Sequence, residues 1–448
     1  MMTLKIETPP TSNYDTSEEK QEFNWRQCWY PVCFVQDLPK DRSYSFSLYD
    51  EPFVIFKNQD RQLVCLTDRC PHRAARLSDG QVIDGKIECS YHGWQFSTDG
   101  KCLHIPQLPA DAKIPVNACV SSFKVVEHQG IVWMWAEENK TAVDDVIPTL
   151  ADLEKPGFVT IDYMRDLPYN QGYFIENVID PAHIPISHDG IMGNREDAQP
   201  LAMEVIESSY QGIRGRYKKI RTPNQPWNLL DFIAPNLIIY QIKVEQRGWF
   251  GGIALYSIPV GKDKCRILLR NYGNFFNWKI KYAPRWLDHV LLRNKILEGD
   301  LQLVVQQQAQ IERLGKNLKE IYLPLKTSDT LVLEYRKWLD KFGTSLPFYQ
   351  GYSSAKNLGM EDLKQNSTSQ DRFLQHTQIC SSCNRAYRLT NRLKNIFVGV
   401  AIALASAAIL VDIYQLKIAL VSTALVSVGL AVLAQKIKIQ FERSYTRH

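Results

Sequence analysis

A chain of 448 residues is too long for one compact domain, and its length predicts two or three. Hydrophobic residues at 45% against 23% charged exclude wholesale disorder and collagen-like repeats, and a formal net charge of +5 is too small for a nucleic-acid binder. Ten cysteines in this length do not make a disulfide scaffold, and their scatter suits a reducing compartment.

Residues 1–24 read as a flexible polar lead-in. They have no apolar core of signal-peptide length, and Asp15, Glu18 and Glu19 are unlike a transit peptide. From about 25 to 140 short β-type runs alternate with turns: PFVIFKN, RQLVCLT, GKIECSY and GIVWMWA, with Asp79-Gly80, Asp84-Gly85 and Asp99-Gly100 as hairpin signals. This predicts an all-β module, followed by a turn-rich linker at 140–160. Residues 157–345 mix the two periodicities. NQGYFIENVIDPAHIPISH begins as a helix interrupted by Pro181 and Pro185; NLIIYQIKV, GGIALYSIPV and CRILLRNYG predict strands; and WLDHVLLRNKILEGDLQLVVQQQAQIERL predicts one or two long helices. Residues 346–394 are polar and irregular.

The tail at 395–435 carries two uncharged stretches, IFVGVAIALASAAILV and IALVSTALVSVGLAVLA, joined by DIYQLK. Each is near the lower limit of about 17 residues for crossing a bilayer. Neither has the polar stripe of a soluble helix, so a transmembrane hairpin is expected rather than a buried helical pair. Arg385, Arg388, Arg392 and Lys394 precede it, and Lys436, Lys438, Arg443 and Arg447 follow within a basic tail at 436–448. By the positive-inside rule both flanks and the soluble part face the cytoplasmic or stromal side of a thylakoid, plasma or plastid membrane.

Cys70-Pro71-His72 and Cys89-Ser90-Tyr91-His92 form Cys-x-His, sixteen residues, then Cys-x2-His. Two thiolates and two imidazoles suit either tetrahedral zinc or a [2Fe–2S] cluster with both cysteines on one iron and both histidines on the other. The spacing favours the cluster. Two loops that each pair one Cys with one His clasp a diiron core from two sides, whereas a zinc finger keeps its cysteines together. Gly93 and Trp94 add a close backbone approach and an apolar cover.

The second dense constellation runs from Glu176 and Asn177 through Asp180, His183 and His188. On an unbroken helix the two histidines would diverge, so Pro185 between them is expected to kink the chain and let both rings reach one ion. Asp180, one turn before His183, is expected to orient that ring through its carboxylate. Two histidines need an anionic third ligand to complete the facial triad of a non-haem Fe(II) site. Asp300, read as standing at the head of a late helix, is the best candidate, ahead of Glu298 and Glu312.

Together, Cys-x-His…Cys-x2-His and Glu-x3-Asp-x2-His-x4-His resemble the large subunit of Rieske-type non-haem iron oxygenases. The opening WRQCWYPVCFVQDLP, the motif Cys380-Ser381-Ser382-Cys383 and the terminal hairpin are most similar to the branch with pheophorbide a oxygenase, chlorophyllide a oxygenase and the translocon Rieske protein. The resemblance covers the chain from Trp25 onward. It implies an α+β chain: an all-β Rieske domain, then a helix-grip catalytic domain of antiparallel sheet plus helices, then the transmembrane hairpin. It also implies a [2Fe–2S] cluster on Cys70, His72, Cys89 and His92, and mononuclear Fe(II) on His183, His188 and Asp300. Glu176, Asn177 and Asp180 take catalytic roles, and the expected partners are O2, a ferredoxin or equivalent reductase, and a hydrophobic tetrapyrrole such as pheophorbide a. The family is commonly a homotrimer in which His92 of one chain bonds Asp180 of the next. Another hydrophobic ring substrate, or a redox-sensing role in a membrane translocation complex, are the alternatives. The missing transit peptide departs from the plant members and suggests a cyanobacterial or mature form.

Cys380 and Cys383 remain open between a structural pair, a disulfide switch and half of a metal site, with thiol regulation plausible from the resemblance. His104, His128, His289 and His376 are isolated in sequence and are expected to be surface or structural residues. Trp227, Trp249, Phe250 and Trp278 are expected to build core rather than line a pocket.

Overall fold

A computed structural model describes residues 23–138, 147–222, 224–244, 247–275, 282–354 and 371–442. Most of the lead-in, part of the linker, Trp278, Arg443 and Arg447 lie outside these residues.

The first domain holds two antiparallel sheets. The larger has strand order β1-β10-β9-β4-β3-β2, from β1 (Trp29–Phe34), β2 (Tyr44–Leu48), β3 (Glu51–Lys57), β4 (Leu63–Thr67), β9 (Ser122–His128) and β10 (Ile131–Glu138). The smaller is inserted between β4 and β9 and orders β5 (Gln81–Ile83), β6 (Lys86–Glu88), β7 (Gln95–Phe96) and β8 (Cys102–His104) in sequence. Its own small core of Leu77, Ile87, Phe96 and Val120 surrounds Cys70 and Cys89.

The second domain is a seven-stranded sheet ordered β11-β17-β16-β15-β14-β13-β12. Its strands are β11 (Val159–Leu167), β12 (Leu201–Ser209), β13 (Gly212–Lys219), β14 (Asn228–Ile233), β15 (Leu237–Val244), β16 (Trp249–Gly261) and β17 (Lys264–Gly273). Every residue of β17 after Lys264 is buried, because both faces of the sheet are covered. Leu268 packs with the first domain's Trp29, Phe34 and Val132, while Ile267 and Leu269 join Tyr173, Phe174, Leu301 and Val304 of the helices. Arginines also cross the domain boundary: Arg270, paired with Asp162 of its own sheet at 2.7 Å, donates to the Gln129 carbonyl at 2.6 Å, and Arg285 holds Asp37 at 2.8 Å.

The helices on that sheet are α1 (Gln171–Ile179), α2 (Ile184–Ser187), α3 (Arg285–Asp288), α4 (Asn294–Leu314), α5 (Leu318–Ile321) and α6 (Thr330–Phe342). Buried residues of α4 at Asn294, Glu298, Leu301, Val304, Gln308 and Ile311 form one stripe at helical spacing, widened by Gly299 and Asp300. A wide π-turn at His289–Arg293 joins α3 to α4, and Gly315 in the left-handed conformation ends it. Two long helices, α7 (Ser381–Leu410) and α8 (Tyr414–Glu442), pair as a hairpin. Both are long and apolar enough to cross a membrane, and Ile402, Ile409, Leu410 and Val426 are exposed along them. The helical turn is tighter than the sequence implied: most of DIYQLK lies inside α8, leaving only Val411–Ile413 as connection.

Candidate metal centres and the cavity beside them

Cys70 and Cys89 sit in two turns, one after β4 and one after β6, and their sulfurs are buried. Each turn is closed by its own backbone: Cys70 N–H donates to Ala75 O at 2.8 Å and Cys89 N–H to Trp94 O at 2.9 Å. Gly93 has φ +72, where side-chain-bearing residues are strained, and its bare Cα leaves room for Pro106. The rings of His72 and His92 lie 4.5 Å apart, and Trp94 stacks on His72 at 4.8 Å. Burial pushes the Cys70 thiol up to about 11. The Nδ1 of His72 is buried without a hydrogen-bond partner among the described residues. Two buried cysteines that give up their protons on binding, beside a ring nitrogen left without a partner, are the donor set of a cluster with Cys2His2 ligation, so these residues fit a [2Fe–2S] group.

At the second centre α1 stops at Asp180, ahead of Pro181, and the two histidines flank a single turn, His183 as the residue before α2 and His188 as the residue after it. Pro185 lies inside the first turn of α2, where its missing N–H costs nothing, so the break is at Pro181 and not, as the sequence suggested, between the histidines. His183 Nδ1 donates to the backbone carbonyl of Asp180, with the Asp180 carboxylate farther off at 3.8 Å. The carbonyl, not the expected carboxylate, therefore orients the ring and turns Nε2 outward. His183 Nε2 and His188 Nε2 stand 3.6 and 3.1 Å from Asp300 Oδ2.

Asp300 is buried in the second turn of α4 rather than at its head, because the π-turn extends the helix upstream. Ions of the first transition row bind N and O at about 2.0–2.2 Å, which sets donors at right angles roughly 3 Å apart, so the three side chains fit one face of a single ion. Burial alone would raise the Asp300 carboxyl, but His188, His183 and the Ser187 hydroxyl outweigh it and hold it below its usual value. Burial likewise holds the His183 imidazole low, which keeps it neutral for metal. Neither alternative acid is free. Glu298 is taken up by Arg165 and Arg372, each within 2.7 Å, and Glu312 accepts from Gln308 at 2.8 Å.

A cavity of about 460 Å³ opens beside this centre, lined by Asn177, Asp180, His183 and Asp300 with Val304 and Leu333. Glu176 forms part of its wall, but its carboxylate is engaged: Arg336 Nε reaches one oxygen at 2.5 Å, and Tyr322 and Gln307 reach the other at 2.8 and 3.1 Å. Leu323, 91% exposed, adds apolar surface to the lining. Trp227, Trp249 and Phe250 do not line the cavity; Trp227 lies under Arg216 and Lys218 at the surface. Burial, with the carboxylates of Asp329 and Glu176 nearby, pushes the Asp180 carboxyl up to about 7 against the opposing bond from Ala182 N–H.

His128 bonds Thr149, as a structural histidine should. His289 and His376 are not isolated. Both are completely buried beside Cys380 and Cys383, which are free thiols. The sequence held a signal for three of these four, His376-x3-Cys380-x2-Cys383, whereas His289 lies 91 residues before Cys380 and only the fold brings it in.

Residues 28–139 match the family described as Rieske [2Fe-2S] domain, and residues 232–317 match Pheophorbide a oxygenase. The chain is 35% identical to Protein TIC 55, chloroplastic, of Pisum sativum over 95% of its length and 82% of the relative's. It is 32% identical to Pheophorbide a oxygenase, chloroplastic, of Oryza sativa subsp. japonica, over 95% of this chain and 85% of that one. Dicamba monooxygenase bound to dicamba shares the fold at 21% identity, with a TM-score of 0.58 over 70% of this chain and 96% of that structure.

Proposed function

Because the chain belongs to the pheophorbide a oxygenase and TIC 55 branch of the Rieske non-haem iron oxygenases, we propose that it is a membrane-attached, ferredoxin-dependent monooxygenase of a chlorophyll-derived tetrapyrrole. The observation that carries this reading is the His183, His188 and Asp300 triad, of which His183 and Asp300 face a cavity also lined by Val304, Leu323 and Leu333. When bound, the [2Fe–2S] group supplies single electrons and the ferrous ion supplies open positions for O2.

The protein's own share is positional. Asp180 O and Ser187 Oγ fix the donors, Arg336 and Tyr322 hold Glu176 in the cavity wall, and Val304 and Leu333 exclude water from the bound ring. His72 and His92 are partly exposed at the tip of the small sheet, and the Asp180 side chain is 24% exposed at the cavity. This suits a homotrimer in which His92 of one chain bonds Asp180 of the next and carries the electron across. The exposed apolar faces of α7 and α8 suit a bilayer, with the basic flanks and soluble part on the cytoplasmic or stromal side, and a substrate that partitions into lipid.

The test is O2 uptake by the purified, detergent-solubilised chain with ferredoxin, ferredoxin reductase and NADPH. Uptake that depends on pheophorbide a, with one oxygen atom added to the product mass, supports the proposal. Turnover of other ring compounds but of no tetrapyrrole would refute the substrate class, and no substrate-dependent uptake at all would refute the activity.

A further inference from the structure

The cluster at the foot of the hairpin has the geometry of a metal centre in its own right. His289 comes from the π-turn ahead of α4, His376 from a second π-turn at Phe373–Thr377, and Cys380 and Cys383 from the start of α7. All four side chains have no solvent exposure, and their donor atoms lie within 4.8 Å of one another. Cys383 Sγ stands 3.3 Å from His289 Nδ1 and 3.2 Å from His376 Nε2, and Cys380 Sγ stands 3.7 Å from His289 Nδ1. With zinc–sulfur at about 2.3 Å and zinc–nitrogen at about 2.0–2.1 Å, the sulfur-to-nitrogen edge of a tetrahedron is about 3.6 Å.

The outer ring nitrogens are already committed. His289 Nε2 donates to the Asp162 carbonyl at 2.9 Å, and His376 Nδ1 donates to the Met164 carbonyl at 2.6 Å. Both carbonyls belong to β11, the edge strand of the large sheet, two residues apart and so pointing the same way. A carbonyl only accepts, so each ring carries its proton on that side and turns a lone pair toward the cysteines. Oriented imidazoles of this kind are what metal sites use. Tyr163 packs the rings in place, stacked on His376 at 4.4 Å and edge-on to His289 at 5.0 Å.

We propose that His289, His376, Cys380 and Cys383 form a third metal site, a closed tetrahedral centre for one zinc ion that fastens the foot of the C-terminal hairpin to the edge of the catalytic sheet. Two thiolates and two neutral imidazoles cancel the ion's double charge, which makes the group neutral where no water reaches. A diiron cluster does not fit, because it would put the cysteines and histidines on separate irons, whereas here Cys383 touches both rings. With every donor from the protein and no open position, the site is structural. It ties α7 to the turn ahead of the helix that carries Asp300; beside it Arg165–Glu298–Arg372 joins β11 and that helix to the segment before α7, and the bond from Thr377 Oγ1 to the Phe441 carbonyl joins this segment to α8.

The experiment is metal analysis and zinc-edge X-ray absorption on the full-length holoenzyme in detergent, produced with zinc in the medium. The proposal expects about one zinc per chain beside the iron, with two sulfur neighbours at about 2.3 Å and two nitrogens at about 2.0 Å. Cys383→Ser and His289→Gln should each lower zinc at least about tenfold while the Rieske EPR signal stays, and Cys119→Ser, at an exposed cysteine, should leave both unchanged. Protein without zinc, zinc without sulfur ligands, additional iron in its place, or a Cys380–Cys383 disulfide in the mass spectrum of the isolated enzyme would each overturn the assignment. The wild-type spectrum decides even where a variant does not fold.

Discussion

The Ser187 hydroxyl donates to Asp300 Oδ1, and that bond leaves Oδ2 turned toward His188 Nε2 at 3.1 Å. The serine is the last residue of α2 and the aspartate lies in the second turn of a different helix, so one hydrogen bond sets the angle of the only anionic donor in the triad. Ser187→Ala should keep the fold and the cluster and weaken the hold on mononuclear iron about 10–100-fold. Competition with a ferrous chelator measures this; retention equal to wild type would show that the carboxylate is held by its helix alone.

Glu176 stands in the cavity wall with its carboxylate engaged by Arg336, Tyr322 and Gln307. Its partner Arg336 is only 1% exposed at the side chain, and it also donates to the Gln350 carbonyl at 2.8 Å. Removing one member of a buried pair strands the other, at a cost of about 3–5 kcal/mol. Arg336→Met should therefore lower stability by that order in chemical denaturation and raise KM more than it changes kcat, since Tyr322 loses its anchored acceptor. A loss below about 1 kcal/mol would place the pair with exposed ones.

Both candidate iron motifs are legible because most of the residues in them are neighbours in sequence: a Cys and a His within three or four residues, or two histidines around one turn. The strands β3, β4, β10, β15, β16 and β17 were legible for a related reason, as their residues alternate or run apolar. What escaped depends on distance. Strand β12 is half polar, with Glu204 and Glu207 facing outward, so its periodicity is weak. The position of Asp300 in its helix is not legible because a π-turn has no composition signature, and the company of His289 is not, because its three companions arrive from the far end of the chain. Cys380 and Cys383 gave a motif without a context, and the context is the edge of β11.

Asp231 offers a pH test away from the metals. It is 6% exposed, and burial raises its carboxyl above the usual value, opposed by Arg214 and by the Gly215 N–H at 3.3 Å. A carboxyl whose folded pKa lies above the unfolded one stabilises the protein fully below the unfolded value, and that contribution is lost as pH rises through the folded value. Asp231→Asn, which keeps the accepting oxygen and cannot ionise, should match wild type in acid and gain on it in Tm toward neutral pH. Parallel Tm curves for the two proteins across that range would mean that Asp231 is not desolvated.

Asp180 separates two roles that its sequence position runs together. Its carbonyl holds His183, and a carbonyl survives any side-chain change; its carboxylate accepts from Ala182 N–H at 2.7 Å and is otherwise turned to the cavity. Asp180→Asn should thus leave both metals bound and the cluster reducible, while turnover falls about 10–100-fold because the proposed bridge to the neighbouring chain's cluster is lost. The measurement is a comparison of cluster reoxidation, followed by EPR in a single turnover, with steady-state product formation. Slow reoxidation with full iron content is the expected pattern. Loss of mononuclear iron would instead make the carboxylate a support for His183, and wild-type turnover would remove Asp180 from the electron path altogether.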